Sequence, residues 1–346
     1  MTKNCRFLAA AAAVLWLLPA GAGAQSFAAA GTRAAGMGGA FVGVADDATA
    51  IYWNPAGLAA GSFFSLALDG RVGEAAPDDS AAGGDHSSFF LGLSMPALGL
   101  SYYRLKASTV SPPLMLLPAD EASSSRNLSS VAELRLDTLI THHAGATLVQ
   151  SIVPGVSVGA TLKLVRGIAA STGVPVATAG EALDHEAAEL LGRASNTFDL
   201  DVGVMATGGP LKAGLTVRNV REPGFEAPGT GRELVLERQA RAGLSYAVST
   251  NWVAAADVDL LRTRDAFGER RDLAAGVEGR LQRRVLVRAG VTFNLLGDDG
   301  LDDGARTAYS VGGSYAATAS VFIDGHFTTG TDQAGRHWGL AARFVY

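Results

Sequence analysis

Apolar side chains in this chain recur at every second position through segments of about ten residues. After the first 24 residues no apolar run approaches the ~20 positions that a membrane-spanning helix needs. A period of two puts alternate residues on opposite faces of a strand, so one face of each segment is apolar and the other mixed. In the last segment Trp338, Leu340, Ala342, Phe344 and Tyr346 share one face, while His337, Gly339, Ala341 and Arg343 share the other. Any insertion of the mature chain into a membrane must therefore be by strands.

Fourteen such segments follow residue 61, near 61–71, 86–95, 98–107, 134–152, 155–169, 196–207, 210–220, 232–248, 251–262, 271–281, 284–295, 305–315, 319–329 and 336–346. Each is long enough for a tilted strand to cross the hydrocarbon layer. The clearest runs from Arg284 to Leu295, with Val285, Val287, Ala289, Val291, Phe293 and Leu295 on one face. Leu286, Arg288, Gly290, Thr292 and Asn294 take the other. A soluble β-sandwich would bury its apolar faces against each other but would seldom need so many Gly and Ala on the polar faces. A barrel with a confined lumen does need them, and the chain has 43 glycines.

The connections separate the two readings. Short turns such as Met95-Pro-Ala-Leu98, Val153-Pro-Gly155 and Ser249-Thr250 alternate with longer polar loops near 72–85, 108–130, 170–195, 221–231, 263–270, 296–304 and 330–335. Short turns at one end, long loops at the other and an even strand count predict an all-β, 14-stranded antiparallel transmembrane β-barrel over 61–346, with both termini in the periplasm. Charges of both signs fall on the lumenal phase: Asp199, Asp201, Arg218, Asp257, Asp259, Glu278, Arg280, Arg288, Asp324 and Arg343. Their mixed sign argues against a dedicated anion or cation porin and suits pairing across a narrow lumen.

At the other end, Lys3 and Arg6 precede an apolar run from Phe7 to Leu18, and Ala22-Gly-Ala24 offers small residues before Gln25. Residues 1–24 read as a cleaved signal peptide of the general secretory route. Its removal takes the formal charge from −5 to −7. The single cysteine, Cys5, lies within it, so no disulfide or lipid anchor is expected in the mature chain. Mild acidity without basic clusters gives no reason to expect nucleic acid as a partner.

Residues 25–60 do not alternate. Small residues dominate there, which lets backbone approach backbone in a crowded space. Asp46-Asp47-Ala-Thr49 suits a helix start, and Asn54-Pro55 a turn that ends it. The run contains Gly36-Met-Gly-Gly39, Ala45-Asp-Asp-Ala48 and Asn54-Pro-Ala-Gly57. In these motifs the chain resembles the outer-membrane hydrophobic-compound and long-chain fatty-acid transporters (FadL/TodX-like). Arg33-Ala-Ala-Gly-Met-Gly-Gly-Ala-Phe41 followed by Tyr52-Trp-Asn-Pro55 looks closest to the PorV/PorQ-like branch. The resemblance implies a fourteen-stranded barrel whose N-terminal segment, 25–60, folds inside as a hatch. It further implies an integral outer-membrane protein that takes up hydrophobic small molecules passively.

On that reading Asp46, Asp47, Asn54 and Pro55 hold or gate the hatch, with Asp47 and Asn54 bonding to lumenal side chains. Phe41, Tyr52 and Trp53 line a ligand pocket or simply pack the plug. The terminal strand, with Phe344 and Tyr346, resembles the signal read by barrel-assembly machinery. Loop 108–130, with Pro112-Pro-Leu-Met-Leu-Leu-Pro118, is a candidate capture surface. The PorV/PorQ-like likeness leaves an alternative open, a barrel that serves protein secretion or surface attachment and binds exported proteins. The expected partners are thus outer-membrane lipid, the assembly machinery, and a hydrophobic small molecule or a secreted protein.

Nothing in the sequence requires a cofactor, a metal or a catalytic residue. Gly36-Met-Gly-Gly39 lacks the lysine and hydroxyl residue of a phosphate loop. His142 and His143 are adjacent on a strand and point to opposite faces. His326 and His337 fall on the lumenal phase of the last two strands without a set of ligands around them. Segment 181–191 reads as a solvated acidic helix.

Overall fold

A computed structural model describes residues 30–75, 83–111, 133–175, 193–228, 230–265, 268–296, 307–330 and 335–346. The signal segment, most of loop 108–130 and segment 181–191 lie outside the described residues.

The described residues open with two short helices, α1 (Thr32–Gly36) and α2 (Ala50–Trp53), and a 3-10 turn over Pro55–Ala60. Strands follow: β1 (Ser65–Ala75), β2 (Gly83–Met95), β3 (Leu98–Ser111), β4 (Glu133–Val153), β5 (Val156–Pro175), β6 (Arg193–Gly208) and β7 (Leu211–Arg218). After a small hairpin, β8 (Gly224–Ala227) and β9 (Arg232–Val235), come β10 (Gln239–Ser249) and β11 (Trp252–Asp259). A second hairpin, β12 (Thr263–Asp265) and β13 (Gly268–Arg270), precedes β14 (Asp272–Gln282), β15 (Val285–Asn294), β16 (Thr307–Ala316), β17 (Val321–Gly330) and β18 (Arg336–Val345).

Setting the two hairpins aside, fourteen strands pair antiparallel with their neighbours, and β1 pairs β18 from Ser65↔Val345 to Glu74↔Arg336. The barrel is closed, as the sequence predicts, and leaves no strand edge unpaired. The short turns lie at one end and the long connections at the other. Two expectations are corrected there. The segment near 232–248 is not one strand but splits at Leu236 to Arg238. Asn219 and Glu222 take left-handed conformations (φ 52° and 50°), and Arg238 bonds back to the Val220 carbonyl and Glu222, so the chain folds over before it rejoins the barrel. The connection near 263–270 likewise holds a small hairpin rather than a plain loop.

Burial runs opposite to that of a soluble protein. Leu66, Leu68, Leu162, Leu244, Val311, Ile323 and Leu340 are exposed, while Asp69, Lys163, Asp201, Arg218, Arg241 and Asp324 are buried. That is the apolar-out, polar-in pattern of a lipid-facing barrel. Exposed aromatics gather at both ends of the apolar band: Tyr246, Trp252, Tyr315, Phe344 and Tyr346 toward the short turns, and Phe293, Tyr309, Phe327 and Trp338 toward the long connections. β4 and β5, of 21 and 20 residues, run well past the length that spanning requires. On their extension Phe225, Ala227, Leu234 and Leu236 of the β8–β9 hairpin pack against Leu139, Val165 and Ala169, a small second core.

The main core is the segment 30–58 itself. Gly36 approaches Gly312 on β16, Met37 approaches Gly276 and Gly290 on β14 and β15, Gly43 approaches Leu244 and Ser245 on β10, and Pro55 approaches Gly159 and Gly203 on β5 and β6. Asp69 of β1 accepts from the amides of Gly31 and Thr32. Contacts on every side place the segment inside the barrel. α1 ends because Gly38 and Gly39 adopt φ of 67° and 80°, and their amides turn back to the Ala35 and Ala34 carbonyls. A Cβ at Gly290 would overlap the Met37–Gly38 peptide. Gly290→Val should therefore lower stability by about 1–3 kcal/mol through overpacking, read as a lower urea midpoint for the purified barrel in detergent.

Candidate functional site in the barrel lumen

The lumenal phase of β14, β15, β17 and β18 carries Glu278, Arg288, Asp324 and Arg343, and the enclosed segment brings Arg33, Asp46 and Asp47 against them. Arg33 grips Glu278 with two parallel bonds, Nε to Oε2 at 2.8 Å and Nη2 to Oε1 at 2.7 Å. Glu278 also accepts from Arg288 Nε at 2.5 Å. Arg288 Nη1 lies 3.4 Å from Asp324, which Arg343 grips at 2.5 and 3.0 Å. Arg343 Nη1 then donates to Asp47 at 3.2 Å, and Asp47 accepts from Arg33 Nη1 at 3.0 Å.

Three arginines and three carboxylates thus alternate around a closed circuit. Asp46 adds a branch at 2.5 Å from Arg33, and Ser314 bonds both Arg288 and Asp324. Two members belong to the enclosed segment and four to the wall. Bidentate arginine–carboxylate pairs in a water-poor lumen are the strong form of charge-assisted hydrogen bond. Asp47 lies outside the spanning strands, and its titration reports the balance. Burial alone would push its carboxyl up, but Arg33, then Arg343 and the Thr49 hydroxyl, hold it below the usual carboxylate range.

Other contacts seat the rest of the segment. The amides of Phe41 and Val42 both donate to Asp257 Oδ2 at 2.8 Å. Arg241, paired with Asp259 at 2.6 Å, donates to the Gly39 carbonyl at 3.2 Å, and Ser245 Oγ donates to the Gly43 carbonyl at 2.7 Å. Asn54 donates through Nδ2 to the Val42 carbonyl at 3.2 Å and the Val204 carbonyl of β6 at 3.1 Å. Its Oδ1 accepts from Ala56 N and so caps the 3-10 turn, which Pro55 opens. The barrel partner of Asn54 is therefore a backbone carbonyl, where the sequence suggests a side chain. The reason is local: Gly203 and Gly214 leave the wall bare there.

Phe41, Tyr52 and Trp53 are wholly buried. Phe41 meets Trp53 edge-on at 5.9 Å, Tyr52 meets Tyr103 of β3 at 5.5 Å, and the Arg218 guanidinium lies 3.4 Å from the Tyr52 ring centre. Trp53 Nε1 donates to the Ala30 carbonyl. Of the ten lumenal charges expected from sequence, nine are buried. Arg280 is the exception: it keeps the lumenal phase opposite Leu286 but is exposed at the end of β14 beside the short turn. Phe344 and Tyr346 stand on the outer face of the closing strand, with Tyr346 76% exposed and its backbone paired to Phe64. His142 faces outward beside Tyr102, whereas His143 is buried and stacked on Tyr103 at 4.2 Å.

Sequence reasoning missed Arg33, Asp69, Lys163 and Arg241. Asp69, Lys163 and Arg241 each stand in phase with small residues on an alternating strand, which was the available signal. Arg33 is the one basic residue between Gly31 and Gly61, 13 and 14 positions ahead of Asp46 and Asp47, both of which it meets.

A family model described as "F plasmid transfer operon, TraF, protein" matches residues 51–259, most of the chain. The chain belongs to this TraF family. Among solved structures it is similar to the CymD monoaromatic hydrocarbon channel, with a TM-score of 0.64 at 14% identity, covering 93% of this chain and 99% of that one. It is also similar to the toluene transporters TodX of Pseudomonas putida (TM-score 0.59, 13% identity, 94% and 98% covered) and TbuX of Ralstonia pickettii (0.58, 14%, 93% and 100%). At such identity the likeness is one of fold, and that fold is the FadL/TodX-like barrel. No curated protein sequence matches the chain.

Removing one member of the charge circuit leaves buried partners uncompensated. Glu278→Gln in the folded barrel should cost about 3–5 kcal/mol, measured by urea unfolding in detergent. A carboxyl held low in the folded state stabilises above its unfolded value of about 4. That contribution is lost as pH falls through the folded value. The urea midpoint should fall between pH 5 and pH 2, and Asp47→Asn should flatten the fall.

Proposed function

We propose that this TraF-family barrel resides in the outer membrane, exported by residues 1–24, and passes hydrophobic small molecules through a lumen that the segment 25–60 closes as a movable hatch. The observation that carries this reading is the plugged lumen. Fourteen strands close around a segment of small residues whose firmest hold on the wall is a circuit of ion pairs on one side. An open water-filled pore gives an apolar solute nothing to bind, and a plug that shifts turns the pore into a pocket. The shared fold with barrels named as hydrocarbon channels and toluene transporters supports the same substrate class.

In this reading Arg33, Asp46 and Asp47 form the latch. Asn54 and Pro55 anchor the foot of the hatch on β5 and β6. Phe41, Tyr52 and Trp53 are the core that a ligand must displace, and Phe344 with Tyr346 serve as the assembly signal. A second reading draws on the family's description. A component of a transfer or secretion assembly would use the same barrel as a scaffold and bind an exported protein, as the PorV/PorQ-like motif also suggests.

Uptake separates the two. Cells lacking their own transporter and expressing the chain should take up labelled long-chain fatty acid or toluene saturably. Asp47→Ala combined with Asn54→Ala should change the rate by tenfold or more. Folded barrels that take up neither compound would reject the channel reading and turn attention to a stable protein complex in the outer membrane.

A further inference from the structure

The two ends of the barrel differ in charge. The long-connection end carries both signs, paired where they meet, as in Lys106 with Asp85, Arg135 with Asp137 and Arg262 with Glu269. The stretches around the short turns, 93–100, 148–158, 205–213, 246–254, 279–287 and 314–323, contain Lys212, Arg280, Arg283 and Arg284 and no Asp or Glu. Three of those cations belong to a single turn. β14 and β15 pair through Arg280↔Leu286 and Gln282↔Val285, so Arg283 and Arg284 form the turn itself and Arg280 stands beside it at the end of β14. All three arginines are exposed, and none of their side chains has an ion-pair or hydrogen-bond partner among the described residues. Glu278, the acid nearest to them along β14, is held by Arg33 and Arg288.

The outward face beside this turn suits the boundary of a bilayer. On one side Trp252 of β11 pairs with Gly279, and a Cβ at that glycine would lie 2.4 Å from the indole, so the ring covers the end of β14. On the other side Tyr315 of β16 pairs with Val285. Both rings stand in the lipid-facing phase, and Leu281, exposed at the register shift, lies between them. Amphipathic rings gather where hydrocarbon gives way to headgroups, so a turn just beyond them lies at headgroup level. Arginine suits that place. Its stem lies along apolar surface while its planar fork matches the oxygens of a phosphate.

We propose that Arg280, Arg283 and Arg284, flanked by Trp252 and Tyr315, form a site for the headgroup phosphate of an anionic phospholipid in the leaflet at the short-turn end. Charge complementarity selects the occupant. A phospholipid whose headgroup has no ammonium brings a net negative charge to three cations that lack a protein partner, whereas a zwitterionic lipid supplies its own counter-charge. The two rings fix the depth of the lipid and the arginines choose its headgroup. The site rests on the membrane reading above and does not depend on transport.

The test uses the full-length chain carrying Trp16→Phe and Trp338→Phe, folded into phosphatidylcholine vesicles that contain a minor fraction of dibrominated phosphatidylglycerol or, as the control, of dibrominated phosphatidylcholine. Trp53 is buried in the lumen, so bromine quenching reports the lipid beside Trp252. We expect phosphatidylglycerol to quench about threefold more effectively. Arg283→Gln with Arg284→Gln should abolish that preference, Arg283→Lys with Arg284→Lys should keep most of it, and high salt should weaken it. Folding is checked by heat-modifiable migration, and Arg280→Gln, which should lower the preference, serves if the double glutamine variant does not fold. Equal quenching by the two lipids, or an unchanged preference in the folded glutamine variant, would overturn the site. Loss of the preference on adding millimolar glycerol phosphate would assign the turn to free phosphate and overturn the lipid assignment. A chain that inserts into neither vesicle would reject the membrane reading and the site together, whereas insertion without preference rejects the site alone.

Discussion

A closed antiparallel barrel pairs all the backbone groups of its strands, but it encloses a volume that something must fill. Here the filling is the chain's own first segment, and nearly everything else about the lumen follows from that. Backbone can reach the wall only where the wall has no side chain. Gly159, Gly203, Gly214, Gly276, Gly290 and Gly312 supply those places. Where the wall does carry side chains, they are polar, because the enclosed segment presents amides and carbonyls that have to be bonded.

The same requirement accounts for how the lumenal charges are used. Asp257 is spent on two backbone amides of the segment and Asp69 on two more. Arg241 holds a carbonyl as well as Asp259. Lys163 is shared between Asp199, Asp201 and Asn219 at 2.9, 2.7 and 3.1 Å. Among the described residues, side chains of the segment meet side chains of the wall in a closed ionic circuit on the β14–β18 side, so attachment there is directional.

The circuit alternates sign and satisfies itself. It sits beside the seam where the first and last strands join, so plug and closure share one wall of the barrel.

Much of this was legible in the sequence. Period two over fourteen segments, the alternation of short and long connections and the aromatic last strand determined the barrel, because a lipid-facing strand has no other way to distribute its side chains. Small residues and the Asp-Asp and Asn-Pro motifs marked residues 25–60 as different from the strands. What period two could not supply was partnership. The meeting of Arg33 with Glu278, 245 positions away, or of His86 with His337 across Gly73, depends on which strands close on which. The split of the 232–248 segment depended on left-handed residues and an ion pair in the preceding turn. Periodicity is a local property and fixes which face a side chain takes. Register and enclosure are set by the closed sheet as a whole, and they alone decided what each lumenal side chain touches.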